Sequence, residues 1–102
     1  MSSRKPRLIL APEARADLRD VLLHTQQHWG RQQRATYRAT LYRTFDELRR
    51  FPALGRTRSD YGGDVRSVPV GQHVVIYEAT DSELRVVRIL HARRDIGGER
   101  EG

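Results

Sequence analysis

A chain of 102 residues with no cysteine and a formal charge of +6 has room for one modest core, and it excludes a disulfide framework and a thiolate metal site. Hydrophobic residues make up 37% and charged residues 31%, so a core is expected beneath a heavily charged surface. No apolar run approaches the length that spans a membrane, and no apolar signal segment opens the chain, so the cytoplasm is the expected location.

Nineteen Lys+Arg oppose thirteen Asp+Glu, and eighteen of the nineteen are arginine, Lys5 being the one lysine. Codon bias accounts for that ratio but not for the net charge. Arginine makes forked contacts to carboxylate and phosphate, so the expected partner is acidic, either nucleic acid or an acidic peptide.

In chain order, residues 1–5 read as a frayed end. Arg7-Leu8-Ile9-Leu10 is a short strand. Pro12 suits the first turn of a helix predicted to run to His28. Its apolar positions Ala14, Leu18, Val21, Leu22 and Trp29 share one face. Gly30 closes it. A second helix is predicted over Arg31–Arg50, with Tyr37, Leu41, Phe45, Leu48 and Phe51 on one face. Phe51-Pro52 stops it, because the residue before proline is pushed out of helical geometry. Two amphipathic helices joined at one glycine read as an antiparallel hairpin that needs a sheet to lie on.

Residues 53–64 read as a loop. Val65–Val70 is the next strand, and Pro69 demotes it toward an edge or a bulge. Gly71-Gln72 makes a tight hairpin turn. His73–Thr80 follows, with Val75 and Tyr77 on one face and Val74 and Ile76 on the other. After the turn at Asp81-Ser82-Glu83 comes the longest apolar-rich run, Leu84–His91. It is β-branched at Val86, Val87 and Ile89. Simple alternation points Val87 and Ile89 one way and Leu84, Val86 and Leu90 the other. A strand apolar on both faces belongs inside a sheet. Residues 97–102 read as a second frayed end. The whole chain is one α+β domain of two layers, with an N-terminal strand, a helical hairpin and a three-stranded antiparallel meander (β-α-α-β-β-β).

There is no phosphate-binding glycine loop and no nucleophile elbow. His24 and His28 are four apart on a helix, but no third ligand accompanies them, so they read as surface histidines and no metal or cofactor is expected. Trp29 reads as a seal over the core. The residues with chemical potential are Arg66, Tyr77, Arg88, His91, Arg93 and Arg94. RNA cleavage through a 2′-hydroxyl needs a proton acceptor, a proton donor and cations on the phosphate, and these types could supply them. Equally, Arg88 and His91 could meet acidic or loop groups and Tyr77 could be core.

One series of stretches runs along nearly the whole chain. It begins with Leu10-Ala11-Pro12-Glu13-Ala14 and Asp17-Leu18, then Trp29-Gly30 with Gln33 and Tyr37, and Phe45 with Leu48. Pro52-Ala53-Leu54-Gly55-Arg56, Arg66, Val70-Gly71 and His73-Val74-Val75-Ile76-Tyr77 follow. Val87-Arg88-Ile89-Leu90-His91 with Arg94-Asp95 completes it. Together these stretches resemble the ParE branch of the RelE/ParE toxin superfamily of bacterial toxin–antitoxin systems. The resemblance implies a toxin that binds DNA gyrase without catalysis, with Arg88, His91, Arg93 and Arg94 at the target. It also implies an acidic, ParD-like antitoxin segment in a hetero-oligomer, seated on Leu18, Leu22, Trp29, Tyr37, Leu41, Phe45 and Arg66. That segment could alternatively add a strand at Arg7–Leu10 or Val65–Val70. The relatives of RelE type imply a second activity, ribosome-dependent and metal-independent mRNA cleavage, with His91, Arg66, Arg88 and Arg93 as the catalytic group. His24 and Leu23 depart from the usual family pair, and Arg93-Arg94 is more basic than the usual ending.

Overall fold

The computed structural model describes residues 5–95. The ends expected to fray at 1–4 and 97–102 lie outside the described residues. Lys5, grouped with them, is instead paired to Asp46 at 3.0 Å. The element order is β1 (Arg7–Leu10), α1 (Pro12–Trp29), α2 (Arg31–Arg50), β2 (Arg56–Thr57), β3 (Val65–Val70), β4 (His73–Ala79) and β5 (Glu83–His91). The expected two-layer α+β arrangement is present, with α1 and α2 packed on one face of a five-stranded sheet ordered β1-β5-β4-β3-β2.

β5 is interior, as its two apolar faces require. β1 pairs with it in parallel, Leu8 opposite Leu84 and Leu10 opposite Val86, and forms one edge of the sheet. The predicted edge strand Val65–Val70 is not an edge along its first half. Inside the supposed loop, Arg56 and Thr57 form β2 and pair with Ser67 and Arg66. Pro69 lies past that pairing, where no amide hydrogen is needed.

Strict alternation fails in β5. Tyr77 faces Val86 while Ile76 faces Arg88, so Val87 is the extra residue of a β-bulge. The bulge shifts every later side chain to the other face. Leu84, Val86 and Ile89 are thereby all buried in the core, at 0%, 0% and 2% exposure. Ala14, Leu18 and Leu22 of α1 and Leu41 and Phe45 of α2 pack with Val75, Val86 and Ile89. Each such large side chain contributes about 1.5–3 kcal/mol by leaving water.

β1 ends where Pro12 opens α1. Ala11 still donates to the Val86 carbonyl at 3.0 Å, and beyond it the outer edge of β5 has no strand beside it. Asp17, one turn into α1, fills that place by accepting the Ile89 amide hydrogen at 2.9 Å.

Candidate functional site

The turn at Gly71, the hairpin tip and the end of β5 meet at one end of the molecule. The bulge in β5 and the register of β4 place His91 directly opposite His73, with ring centroids 5.4 Å apart. His73 continues the face of Val75 and Tyr77, so strand alternation alone could have flagged it. Tyr37 of α2 reaches down to this pair. Its hydroxyl donates to the Val70 carbonyl at 2.7 Å and lies 2.7 Å from His73 Nδ1. With the hydroxyl proton given to Val70, Nδ1 of His73 carries the hydrogen between them. Gly71 is required here. Its φ is +57°, and a Cβ would stand 2.9 Å from the Tyr37 oxygen.

These groups line a cleft of about 430 Å³ together with His24, Thr25, Trp29, Gln33 and Gln72. A second recess of about 300 Å³ lies on the far side of His24, His73 and His91, bounded by Asp17, Asp20 and Arg94. Burial holds His73 below the usual imidazole range, and the nearby His91 and His24 lower it further. Burial raises the Tyr37 hydroxyl. His91 accepts the Arg93 amide hydrogen on Nδ1 at 3.1 Å, which leaves Nε2 as its donor when neutral. His28 stacks on His24 at 4.1 Å. All four histidines of the chain therefore gather at this end. Among the described residues, no three His, Cys, Asp or Glu side chains are arranged to hold a metal.

The remaining expected site residues separate. Arg66 faces Tyr77, and His91 faces His73, four residues along β4 or about 13 Å away. Arg66 donates to the Gly55 carbonyl at 2.8 Å, which ties the 52–55 turn to the sheet. Tyr77 is fully buried. Its hydroxyl donates to the Pro52 carbonyl at 2.6 Å and accepts the Gly55 amide hydrogen at 2.9 Å. Burial raises its pKa, so it is core and a poor proton acceptor. Arg88, expected at the target or the phosphate, is forked onto Asp17 at 2.7 and 3.1 Å. That contact holds the guanidinium charged and makes it part of the frame. Arg93 and Arg94 are exposed.

The expected antitoxin anchors also divide. Leu18, Leu22, Leu41 and Phe45 are buried against the sheet, so the intact fold withholds them from a partner. Trp29, read as a seal over the core, is instead 74% exposed at the mouth of the cleft. The hairpin tip extends past the sheet there, and residues 31–36 are exposed with it. Leu23 is half-exposed on the same helix.

The other face of the sheet carries a group that pattern reading passed over. Arg58 is 1% exposed and spends all five donors. It bonds Asp95 at 2.7 and 3.0 Å, Asp60 at 2.8 and 3.0 Å, and Ser67 at 3.1 Å. These contacts raise its pKa and lock the turn after β5 over Ser67. A buried arginine in a loop has no periodicity to betray it.

Residues 8–96 match the family described as ParE toxin of type II toxin-antitoxin system, parDE. Toxin ParE1 of Mycobacterium tuberculosis (strain CDC 1551 / Oshkosh) is 31% identical over 91 residues, covering 88% of this chain and 93% of that protein. Toxin ParE1 of Caulobacter vibrioides (strain ATCC 19089 / CIP 103742 / CB 15) is 30% identical over 82 residues, covering 80% and 84%. A chain from a solved chromosomal ParDE TA system of P. aeruginosa superposes with a TM-score of 0.71 at 18% identity. That superposition covers 87% of this chain and 98% of the other, and it shows the same fold.

Proposed function

The chain belongs to the ParE toxin family of type II toxin–antitoxin systems, and from that membership we propose that it stops replication by binding DNA gyrase. An antitoxin of ParD type neutralises it in a cytoplasmic hetero-oligomer. The observation that supports a binding mode is the dispersal of the acid–base candidates. Tyr77 is sealed in the core, Arg88 is held by Asp17, and Arg66 lies about 13 Å from His91. What remains open to a target is the end of the sheet, with His91, Arg93 and Arg94 beside the cleft. The antitoxin's acidic segment would enter the cleft at Trp29 and Tyr37, where an apolar anchor and a hydrogen-bonding partner lie together.

One observation favours the second reading, ribosome-dependent mRNA cleavage. His91 lies edge-on to His73, which is hydrogen-bonded to Tyr37, so three titratable side chains meet in an open cleft. Induction in a bacterial host with separate pulse-labelling of DNA and protein synthesis decides between them. Early arrest of DNA synthesis, with loss of supercoiling by purified gyrase, supports the first reading. Early arrest of translation supports the second.

A further inference from the structure

Five exposed arginines border the seam where the two helices of the hairpin meet, and among the described residues none of them has a carboxylate partner. At about 100° per residue, Arg31, Arg34 and Arg38 fall within an arc of roughly 60° on α2. Arg15 and Arg19 flank the direction of Gln26 on α1 within roughly 40°. Arg34 donates to Gln26 Oε1 at 2.7 Å, so the two arcs border the same seam. Arg38 stacks on Tyr42 at 4.6 Å. All five arginines are exposed. Among the described residues none of the five joins an ion pair, whereas Arg49, Arg50, Arg58, Arg85 and Arg88 all do.

Arg34 and Arg38 each make one contact within the hairpin, through Gln26 and Tyr42, but the charge of the row as a whole works against the fold. The first turn of α2 has no acidic residue and holds Arg31 and Arg34, at the end where the helix dipole disfavours cations. A row of like charges along one seam repels itself. The cost is explained if an anion binds there. In an antiparallel hairpin the row runs about 20 Å from Arg31 to Arg15 at about 1.5 Å rise per residue.

We propose that this seam is a docking surface for the phosphate backbone of double-stranded DNA. A row of unpaired cations about 20 Å long suits the closely spaced phosphates of a duplex. An acidic peptide would need a row of apolar anchors; within the seam Tyr42 is covered by Arg38, and the half-exposed Leu23 stands singly at its flank beside Arg19. A single strand would need free aromatic faces for stacking, and these too are missing there. The inference goes beyond the gyrase reading and stands without it.

The test is fluorescence anisotropy of the full chain with a labelled 20-base-pair DNA duplex of arbitrary sequence across a salt series. R31Q/R34Q/R38Q is compared with the charge-matched R7Q/R56Q/R85Q, both checked for fold by circular dichroism. The seam variant is expected to bind at least about tenfold more weakly, with a salt slope shallower by about 2.7, or about 0.9 for each lost phosphate contact. The control is expected to lose less than about threefold. The single variant R31Q, with a slope change of about 0.9, serves if the triple variant misfolds. Equal losses in both triples would mean net charge alone and would overturn the proposal. Tighter binding to polyglutamate, or to an RNA duplex of the same sequence, would also overturn it.

Discussion

Arg58 and Asp95 stand 37 positions apart, yet two bonds of 2.7 and 3.0 Å join them in a site where neither is more than 7% exposed. The pair closes the second face of the sheet and sets where the chain leaves β5. Removing one partner strands a buried charge. Asp95→Asn and Arg58→Met are each expected to cost about 3–5 kcal/mol in urea unfolding. Losses under about 1 kcal/mol would show that the pair is not buried in solution.

Gly55 and Tyr77 make a second close approach. A Cβ on Gly55 would lie 2.6 Å from the Tyr77 oxygen and 2.8 Å from the Ser67 carbonyl. Gly55→Ala is expected to destabilise by several kcal/mol, about as an overpacked core does. Tyr77→Phe should cost about 1–3 kcal/mol, because it leaves the Pro52 carbonyl and the Gly55 amide without a partner. Thermal melting of the two variants checks this, and an unaltered Gly55→Ala melting point would contradict the contact.

Stability should fall in mild acid. The folded pKa of His73 lies below its ordinary value, so between pH 6.5 and that lower value the unfolded chain binds more protons. The contribution is full above about pH 6.5 and is lost as pH falls through the folded pKa. His73→Gln should flatten this part of the stability profile. A further loss is expected below about pH 4. Lys5 holds the Asp46 carboxyl below its usual value there, and Arg58 holds that of Asp60.

Asp17 and Arg88 test the assignment of Arg88 to the frame. Asp17→Ala removes both the Arg88 fork and the acceptor of the Ile89 amide, and should cost about 1–3 kcal/mol. Arg88→Ala, at a side chain more than a third exposed, should cost less than about 1 kcal/mol. If Arg88→Ala abolishes growth arrest while leaving stability intact, Arg88 belongs to the target surface after all.

The two functional readings differ at His91. Under gyrase binding, His91→Ala and Arg93→Ala/Arg94→Ala weaken growth arrest by graded steps. Under mRNA cleavage, His91→Ala lowers it by about 100-fold or more. Trp29→Ala should change stability by less than about 0.5 kcal/mol, since the ring is exposed. It should weaken antitoxin binding by about 2 kcal/mol in titration calorimetry if the cleft is the antitoxin's seat.

Much of this was legible in the chain alone. Apolar spacing of three and four placed both helices, and Gly30 and Pro52 marked their ends, because helical periodicity and backbone breakers are local properties. The same holds for β3, β4 and β5 and for the turn at Gly71. The family resemblance, read from motifs along nearly the whole chain, carried the toxin reading. What depended on contacts across the chain was not legible. The parallel partner of β1 and the two-residue β2 are pairings between distant segments. Arg58, Asp17 and Asp95 gain their roles from partners tens of residues away.

The sequence by itself determined the α+β class, the order of every element but the two-residue β2, and the toxin family, since these follow from local pattern and motif. Only the tertiary structure decided which polar residues are frame and which are surface. The bulge at Val87 turned His91 toward His73. The end of β1 at Pro12 drew Asp17 onto the Ile89 amide and its fork onto Arg88. The short sheet beneath a long hairpin left Trp29 in solvent. Each outcome depends on where another strand stops or slips, and that is fixed by pairing and packing between segments rather than by the residues within one.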